Sequence, residues 1–204
     1  MVIGVTGGIA CGKSEVCKFL EKNGFILIDA DDVAHDVLEI PEVMDEISAY
    51  FGPDVMNKNP ENGDIIGVNR KALGNIVFAD AEKMRVLEGI TRPRIVQIIK
   101  DIIKQHPENH YVVEGIALIS SGLNEVFDEL WVVHAEPEQQ IKRLTEYRHM
   151  TLEEAQNRLK SQEEHDWDEK TADRVIYSLE PLEKMTAQVK EILDTIGFDA
   201  AVDL

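Results

Sequence analysis

Five short runs of apolar residues stand out along the chain, and they do not alternate with polar residues. They cover residues 2–6, 25–28, 111–113, 130–134 and 174–177. An apolar run without alternation predicts a strand that is buried on both faces, as in parallel sheets. Helical patterns lie between these runs. The sequence therefore predicts a doubly wound α/β fold, a five-stranded parallel sheet flanked by helices, with ligands bound beyond the carboxyl ends of the strands.

The region between Ala34 and Gln105 has a different pattern, because its apolar residues recur at helical spacing and no strand is predicted there. Helices are expected over 42–51, 69–77 and 80–104, and a turn-rich segment covers 57–64. We interpret residues 33–105 as a helical subdomain inserted into an α/β core. The core itself is then made of residues 1–32, 106–136 and 166–204.

A second helical stretch, residues 137–165, concentrates basic residues in an otherwise acidic chain. They are Lys142, Arg143, Arg148, Arg158 and Lys160. We interpret this stretch as a mobile helical lid, although basic side chains that only face solvent would give the same pattern. Residues 181–196 also have apolar residues at helical spacing, and we expect them to form a helix that packs on the sheet.

Composition and charge narrow the function. The 204 residues are 44% hydrophobic and carry a formal net charge of −18, a field that repels nucleic acid and anionic lipid. Only two cysteines occur, Cys11 and Cys17, and no signal peptide or membrane-spanning segment is predicted. We therefore expect a cytoplasmic protein that binds neither nucleic acid nor membranes, and that is a monomer or a weak homo-oligomer.

The strongest chemical signal is the segment Gly7–Ser14, called the phosphate loop below. It fits Gly-x-x-x-x-Gly-Lys-Ser/Thr and follows the first predicted strand directly. Its glycines let the backbone fold around an anion, so that peptide N–H groups point at phosphates. Lys13 is expected to reach the terminal phosphates of a nucleotide, and the Ser14 hydroxyl to contact Mg²⁺. A glycine-rich turn that binds nothing would not need this lysine and serine. The residues expected to bind the nucleotide are Gly8, Ile9, Ala10, Cys11, Gly12, Lys13, Ser14 and Glu15.

Cys11 lies inside the phosphate loop, and its position allows two interpretations. A thiol at a helix N-terminus tends toward the thiolate, so oxidation or alkylation there would block nucleotide entry. The alternative, which we favour, is that Cys11 is a small side chain that fills space in the loop.

Three acidic residues, Asp29, Asp31 and Asp32, follow the second predicted strand in the segment Ile28–Asp32. If the chain is still extended there, Asp29 and Asp31 project to the same side at the carboxyl edge of the sheet. Phosphoryl transfer needs a base that orients or deprotonates the accepting hydroxyl, and we assign this catalytic role to Asp31. The alternative is that Asp31 or Asp32 caps a helix that begins near Val33.

Glu114 stands at the carboxyl end of the third apolar run, where Mg²⁺-bound water commonly finds its partner. We expect it to help hold the metal together with Ser14. A surface glutamate at a strand end is the alternative.

Arg143 comes early in the predicted lid. Its guanidinium would close over the transferred phosphate, so Arg143 is a candidate both for nucleotide binding and for catalysis, together with Lys13 and Asp31. Arg158 and Gln162 are four residues apart and would share one helix face that lines the same cleft.

With these motifs in hand, the chain resembles dephospho-coenzyme A kinase nearly from end to end. The resemblance is carried by residues 5–9 leading into Gly12-Lys13-Ser14, by Ile28–Asp31, and by Asn69–Leu73 with Ile76–Phe78. Further matches are Leu87-Glu88 with Pro93, Gln140, Arg143-Leu144, Ala155, Arg158, Gln162, Ala172-Asp173 and Ile176.

The resemblance implies a P-loop kinase with a nucleotide-binding core, a helical coenzyme A-binding subdomain and a lid. Members of the family use ATP to phosphorylate the 3′-hydroxyl of the ribose in dephospho-coenzyme A. The base then corresponds to Asp31, and the arginine on the phosphates to Arg143. On the same basis we expect the acceptor to contact Asp31, Arg70, Arg92 and Glu114.

The sequence departs from the family pattern at several of these positions. The usual Gly-Ser-Gly-Lys-Ser-Thr is Ala10–Glu15 here, so we expect weaker ATP affinity. The third-strand aspartate of the family is Glu114, its His-Pro is Arg92-Pro93, and its second lid arginine falls on Tyr147, with Arg148 one residue later. The usual asparagine after the fifth strand is Ser178.

These departures leave two alternatives open. The chain would be a kinase of another small hydroxyl compound or nucleotide if its acceptor pocket has changed. It would be an ATP-binding regulatory protein without transfer activity if the loop and lid no longer support catalysis.

Overall fold

The computed structural model describes residues 1–162 and 169–198. A five-stranded parallel sheet has the order β2-β5-β1-β6-β7, which confirms the predicted fold class. Its strands are β1 (Val2–Thr6), β2 (Phe25–Asp29), β5 (His110–Glu114), β6 (Glu129–His134) and β7 (Arg174–Tyr177). All five residues of β1 are buried, as expected for a central strand with helices on both faces.

The described residues form eight α-helices. They are α1 (Lys13–Lys22), α2 (Ala30–Val37), α3 (Pro41–Phe51), α4 (Arg70–Val77), α5 (Ala81–Gln105), α6 (Pro137–Glu146), α7 (Leu152–Lys160) and α8 (Leu182–Thr195). The helix expected over 181–196 is therefore present as α8, and its Val189 and Leu193 pack into one apolar core with Ile3 of β1 and Trp131 of β6. No helix within the described residues is both long enough and apolar enough to cross a membrane.

The chain divides into two compact units. The first contains Met1–Asp29 and the described residues from Ile103 onward, and the second contains Ala30–Ile102. The inserted subdomain predicted from the sequence covers residues 33–105. Of the expected lid range 137–165, residues 163–165 lie outside the described residues, as do 166–168 and 199–204 of the expected core.

The second unit contains a small antiparallel hairpin, β3 (Met56–Lys58) and β4 (Ile65–Val68). The expectation that this region has no strand is wrong. Both strands are very short, and their exposed residues give no alternating pattern that a sequence reading detects. Backbone bonds in the turn-rich segment hold the hairpin, for example Asn59 N–H to Asp64 O at 2.8 Å.

The transition after β2 also differs from the expectation. Helix α2 begins at Ala30, directly after the strand, so the chain is not extended at Asp31 and the assumed alternation with Asp29 does not apply. Asp31 and Asp32 lie inside the first turn of α2 rather than before it. Neither occupies the N-cap position, and a first-turn carboxylate is instead favourable toward the helix dipole.

Candidate phosphate-binding site

The phosphate loop connects β1 to α1 through two glycines that no other residue can replace without strain. Gly7 has a φ of 141°, and a Cβ there would come within 2.3 Å of the Val133 carbonyl oxygen. Gly12 has a φ of 104° and forms the N-cap of α1 in the left-handed region. Ala10 adopts a φ of 56°, a conformation that residues with a Cβ seldom take. The backbone of this segment is therefore fixed in a tight loop.

Lys13 begins α1 and folds back over the loop. Its Nζ donates to the carbonyl oxygens of Gly7 at 2.8 Å and Gly8 at 3.1 Å. The first N–H groups of α1 have no carbonyl of a preceding helical turn to bind. An ammonium group and the N-terminal end of a helix thus meet at the loop, an arrangement suited to an anion.

Ser14 and Glu114, expected as a metal-holding pair, are in direct contact. The Ser14 hydroxyl donates to Glu114 Oε1 at 3.1 Å. Glu114 ends β5, and its register partners are Val5 on β1 and Asp29 on β2. The described residues contain no group of three or more His, Cys, Asp or Glu that would hold a metal ion. A hydroxyl and one carboxylate nevertheless fit Mg²⁺, because this ion keeps several of its waters in phosphate sites.

Cys11 packs inside the loop rather than facing its surface. Both Cys11 and Cys17 are free thiols with no solvent exposure. Burial raises the pKa of the Cys11 thiol despite the nearby Lys13 ammonium, and burial likewise raises the pKa of Cys17. The thiolate expected from a helix N-terminus is therefore not supported, and the structure favours the space-filling role.

Residues 137–162, called the α6–α7 segment below, contact the loop through Arg143. Its Nη1 donates to the Ala10 carbonyl oxygen at 3.0 Å and to the Ser178 hydroxyl at 2.8 Å. Glu180 lies 3.9 Å from the same guanidinium. Because α6 is short, Arg143 lies in its last turn, not early in the helix as expected. Arg143 is thus already positioned at the loop.

Two glutamines also bind the loop directly. Of these two, the sequence predicted only Gln162 to line the cleft, and it predicted a bond to the loop for neither. Gln140 Nε2 donates to the Ile9 carbonyl oxygen at 2.7 Å, and the Ile9 N–H donates to Gln162 Oε1 at 2.7 Å. The expectation that Gln162 shares a helix face with Arg158 is wrong, because α7 ends at Lys160. A sequence contains no signal that pairs residues about 130 to 150 positions apart; only the fold brings them together.

Other basic and acidic candidates in this unit face away from these contacts or toward solvent. Glu15 pairs with Lys18 at 2.7 Å along α1. Tyr147 forms the C-cap of α6, so Arg148 lies beyond the helix, and both are exposed. A cavity of about 380 Å³ borders the loop, lined by residues that include Gly8, Cys11, Gln140 and Gln162.

The second unit contains the remaining candidates, Asp31, Arg70 and Arg92. An Arg70 Nη2 atom lies 2.6 Å from His35 Nε2, and His35 follows Asp31 by one helical turn in α2. Since arginine only donates, His35 Nε2 accepts this hydrogen bond. Arg92 pairs with Glu88 at 2.6 Å along α5. Arg70 is therefore held against the helix that carries Asp31, whereas Arg92 is paired within its own helix.

The central strand of the parallel sheet passes through a glycine-rich loop into a helix that begins with Lys-Ser. The neighbouring strand ends in a carboxylate. This arrangement defines a P-loop kinase. The sequence model of the dephospho-CoA kinase family matches residues 1–180. The chain belongs to this family.

Individual relatives agree with this assignment. The chain is 34% identical to a dephospho-CoA kinase of Fusobacterium nucleatum, with 96% of this chain and 98% of the relative covered. It is 37% identical to a dephospho-CoA kinase of Bacillus licheniformis, with 96% of each chain covered. Among solved structures, a dephospho-CoA kinase from Campylobacter jejuni is similar with a TM-score of 0.59 and 27% identity over 96% of both chains.

Proposed function

We propose that this protein transfers the terminal phosphoryl group of ATP to the 3′-hydroxyl of dephospho-coenzyme A. The observation that carries the proposal is the phosphate loop, in which Gly12 turns the backbone into α1 and Lys13 Nζ folds over the loop carbonyls. Membership of the dephospho-CoA kinase family supports the choice of acceptor.

In this proposal the triphosphate of ATP binds at the loop. The peptide N–H groups from Ala10 to Ser14 surround the phosphates, with Gly8 and Ile9 as the wall of the loop and Glu15 in the first turn of α1. Lys13 exchanges its contacts with the Gly7 and Gly8 carbonyls for phosphate oxygens. Arg143 keeps its Nη1 contacts with Ala10 and Ser178 while its other N–H donors reach the same group. Both cations neutralise charge that accumulates during transfer.

The acceptor hydroxyl loses its proton to the Asp31 carboxylate as its oxygen attacks the terminal phosphorus. The bond from phosphorus to the oxygen that bridges the β and γ positions breaks, and ADP leaves with that electron pair. Arg70 and Arg92 are cations in the second unit that suit the phosphates of a coenzyme A-like acceptor. We also assign Glu114 to acceptor binding, beside the reacting groups. The proposed coenzyme A-binding subdomain is residues 33–105, and the lid is 137–165.

Mg²⁺ would be held at Ser14 and Glu114, where the hydroxyl and the carboxylate already meet. When bound, the ion supplies positive charge to the phosphate oxygens. We further propose that the protein works in the cytoplasm, as a monomer or a weak homo-oligomer. Two free, buried cysteines fit a reducing compartment.

The test is direct formation of coenzyme A. Purified protein is incubated with ATP, Mg²⁺ and dephospho-coenzyme A, and the products are separated by chromatography. We expect coenzyme A and ADP in equal amounts, with the rate reduced at least about a hundredfold in Lys13→Ala, since one preorganised charge contact to the transition state is lost. Lys22→Ala, an exposed lysine of the same helix, is the matched control and should retain full activity. Absence of coenzyme A above the Lys13→Ala level would refute the proposed acceptor.

A further inference from the structure

The backbone of a single loop residue, Ile9, is held at both of its polar groups by side chains of the α6–α7 segment. Gln162 Oε1 accepts from its N–H and Gln140 Nε2 donates to its carbonyl oxygen, each at 2.7 Å. A backbone N–H only donates and a carbonyl only accepts, so the orientation of both side-chain amides is fixed by the groups they meet. Gln162 is therefore needed as an acceptor and Gln140 as a donor.

The side chain of Ile9 is enclosed by the same segment. It is 8% exposed and clusters with Leu144 of α6 and Ala155 of α7. Ile141 and Leu159 pack against this cluster. Ile9 is therefore held by apolar packing as well as by two hydrogen bonds, all supplied by residues 137–162.

The backbone conformation of Ala10, the next residue, is the reason why the loop needs such support. Ala10 has a φ of 56°, where the Cβ of an L-residue crowds its own backbone. Its carbonyl oxygen accepts from Arg143 Nη1 at 3.0 Å. An alanine at this position does not hold the left-handed conformation by itself as readily as glycine does. The contacts on either side of the strained residue restrain it.

We propose that Gln140 and Gln162 are positioning residues that hold the phosphate loop in its nucleotide-binding shape and so couple docking of the α6–α7 segment to ATP binding. The inference deepens the proposed function and rests on it for the identity of the nucleotide. Coupling of this kind is reciprocal: a segment that favours the loop shape raises ATP affinity, and bound ATP stabilises the docked segment.

The first experiment measures ATP binding by calorimetry on the full chain, without acceptor, for Gln140→Ala and Gln162→Ala. We expect each Kd to rise about tenfold, because a partly buried backbone group loses its partner. The KM for ATP should rise in parallel, whereas kcat at saturating ATP and the KM for dephospho-coenzyme A should change less than about twofold. Gln156→Ala, an exposed residue of α7, is the matched control. Values of Kd for both variants within twofold of this control would overturn the inference.

A second pair of variants separates positioning from a general loss of packing, and it applies even if the alanine variants fold poorly. Gln162→Glu keeps an acceptor for the Ile9 N–H, so its Kd should stay within about threefold of Gln156→Glu, which adds the same charge. Gln140→Glu replaces the donor by an oxygen that repels the Ile9 carbonyl, and its Kd should rise at least about tenfold. Equal or reversed effects of the two glutamates would refute the assigned roles.

A change at Ala10 tests whether the glutamines act through the strained loop. Glycine accepts this φ without strain, so Gln162→Ala should weaken ATP binding only about threefold in an Ala10→Gly background. An unchanged tenfold loss there would overturn the inference. If the variants behave as expected but no coenzyme A forms, only the proposed acceptor is refuted. If the unmodified chain binds no ATP, both proposals fall.

Discussion

The two units of the molecule hold their charged candidate residues in different ways. In the unit that contains the phosphate loop, Lys13 and Arg143 donate to backbone carbonyls of the loop itself, and Arg143 donates in addition to the Ser178 hydroxyl. In the second unit, Arg70 bonds to the side chain of His35 and Arg92 to the side chain of Glu88. A backbone partner is fixed by the path of the chain, whereas a side-chain partner moves by rotating its own bonds.

Because of this difference, we expect substitutions in the two units to change different kinetic and binding constants. The phosphate loop is organised before ATP arrives, because Gln140, Gln162 and Arg143 are bonded to the backbone that surrounds the ligand. The second unit holds Arg70 and Arg92 in side-chain pairs that an anionic acceptor would replace. We therefore expect substitutions around the loop to change ATP affinity, and substitutions in the second unit to change turnover or acceptor affinity while ATP affinity stays constant.

The largest effect that separates the two units is expected from Asp31→Asn. The amide cannot accept the proton of the acceptor hydroxyl, so kcat should fall about a thousandfold, within the range of general base catalysis. The Kd for ATP, measured by calorimetry, should change less than about twofold. Asp36→Asn, an exposed carboxylate further along the same helix, should leave kcat unchanged.

A fall in ATP affinity equal to the fall in kcat would contradict the separation between the units. Unchanged turnover in Asp31→Asn would instead mean that this carboxylate has no catalytic role and only interacts favourably with the dipole of α2 from its first turn.

The features of this molecule that could be predicted from the sequence are those that residues close together in the chain determine. The phosphate loop was predictable because Gly7, Gly12, Lys13 and Ser14 lie within one eight-residue segment and each has its own conformational or chemical need. The five parallel strands were predictable because burial on both faces leaves an unbroken apolar run. The hairpin of β3 and β4 was not, because it is held by backbone bonds between very short strands.

Side-chain partners from distant parts of the chain were the other gap. Gln140 and Gln162 were visible as residues that match the family, but their contacts with Ile9 depend on how α6 and α7 pack. The interpretation of Cys11 as a thiolate with a lowered pKa failed for the same reason. The helix N-terminus is a local feature, whereas the burial that raises this pKa is a property of the whole core.

An intermediate effect, confined to the second unit, is expected from Arg70→Ala. Loss of one charged hydrogen bond to an anionic acceptor costs about 1.5 kcal/mol, so the KM for dephospho-coenzyme A should rise about tenfold. The Kd for ATP should not change. Lys71→Ala, the exposed cation next to it, is the matched control in steady-state kinetics. An equal rise of KM in both variants would mean that the acceptor responds to general charge rather than to the guanidinium placed by His35.

The smallest effect is expected at Cys11, although it lies within the most sensitive loop. Because burial raises the pKa of this thiol, the thiolate fraction at neutral pH is lower than for an exposed cysteine, and iodoacetamide should label it at least about tenfold more slowly than in the urea-unfolded chain. Activity should therefore change less than twofold during an exposure that fully modifies a free thiol. Raising the pH to about 9 should accelerate labelling of the unfolded chain far more than that of the folded protein, since a raised pKa keeps the folded thiol protonated. Peptide mass spectrometry distinguishes Cys11 from Cys17. Rapid labelling of folded Cys11 that ATP prevents would show that the loop opens far enough to expose this thiol, and would remove the contrast between an anchored loop and an adjustable second unit.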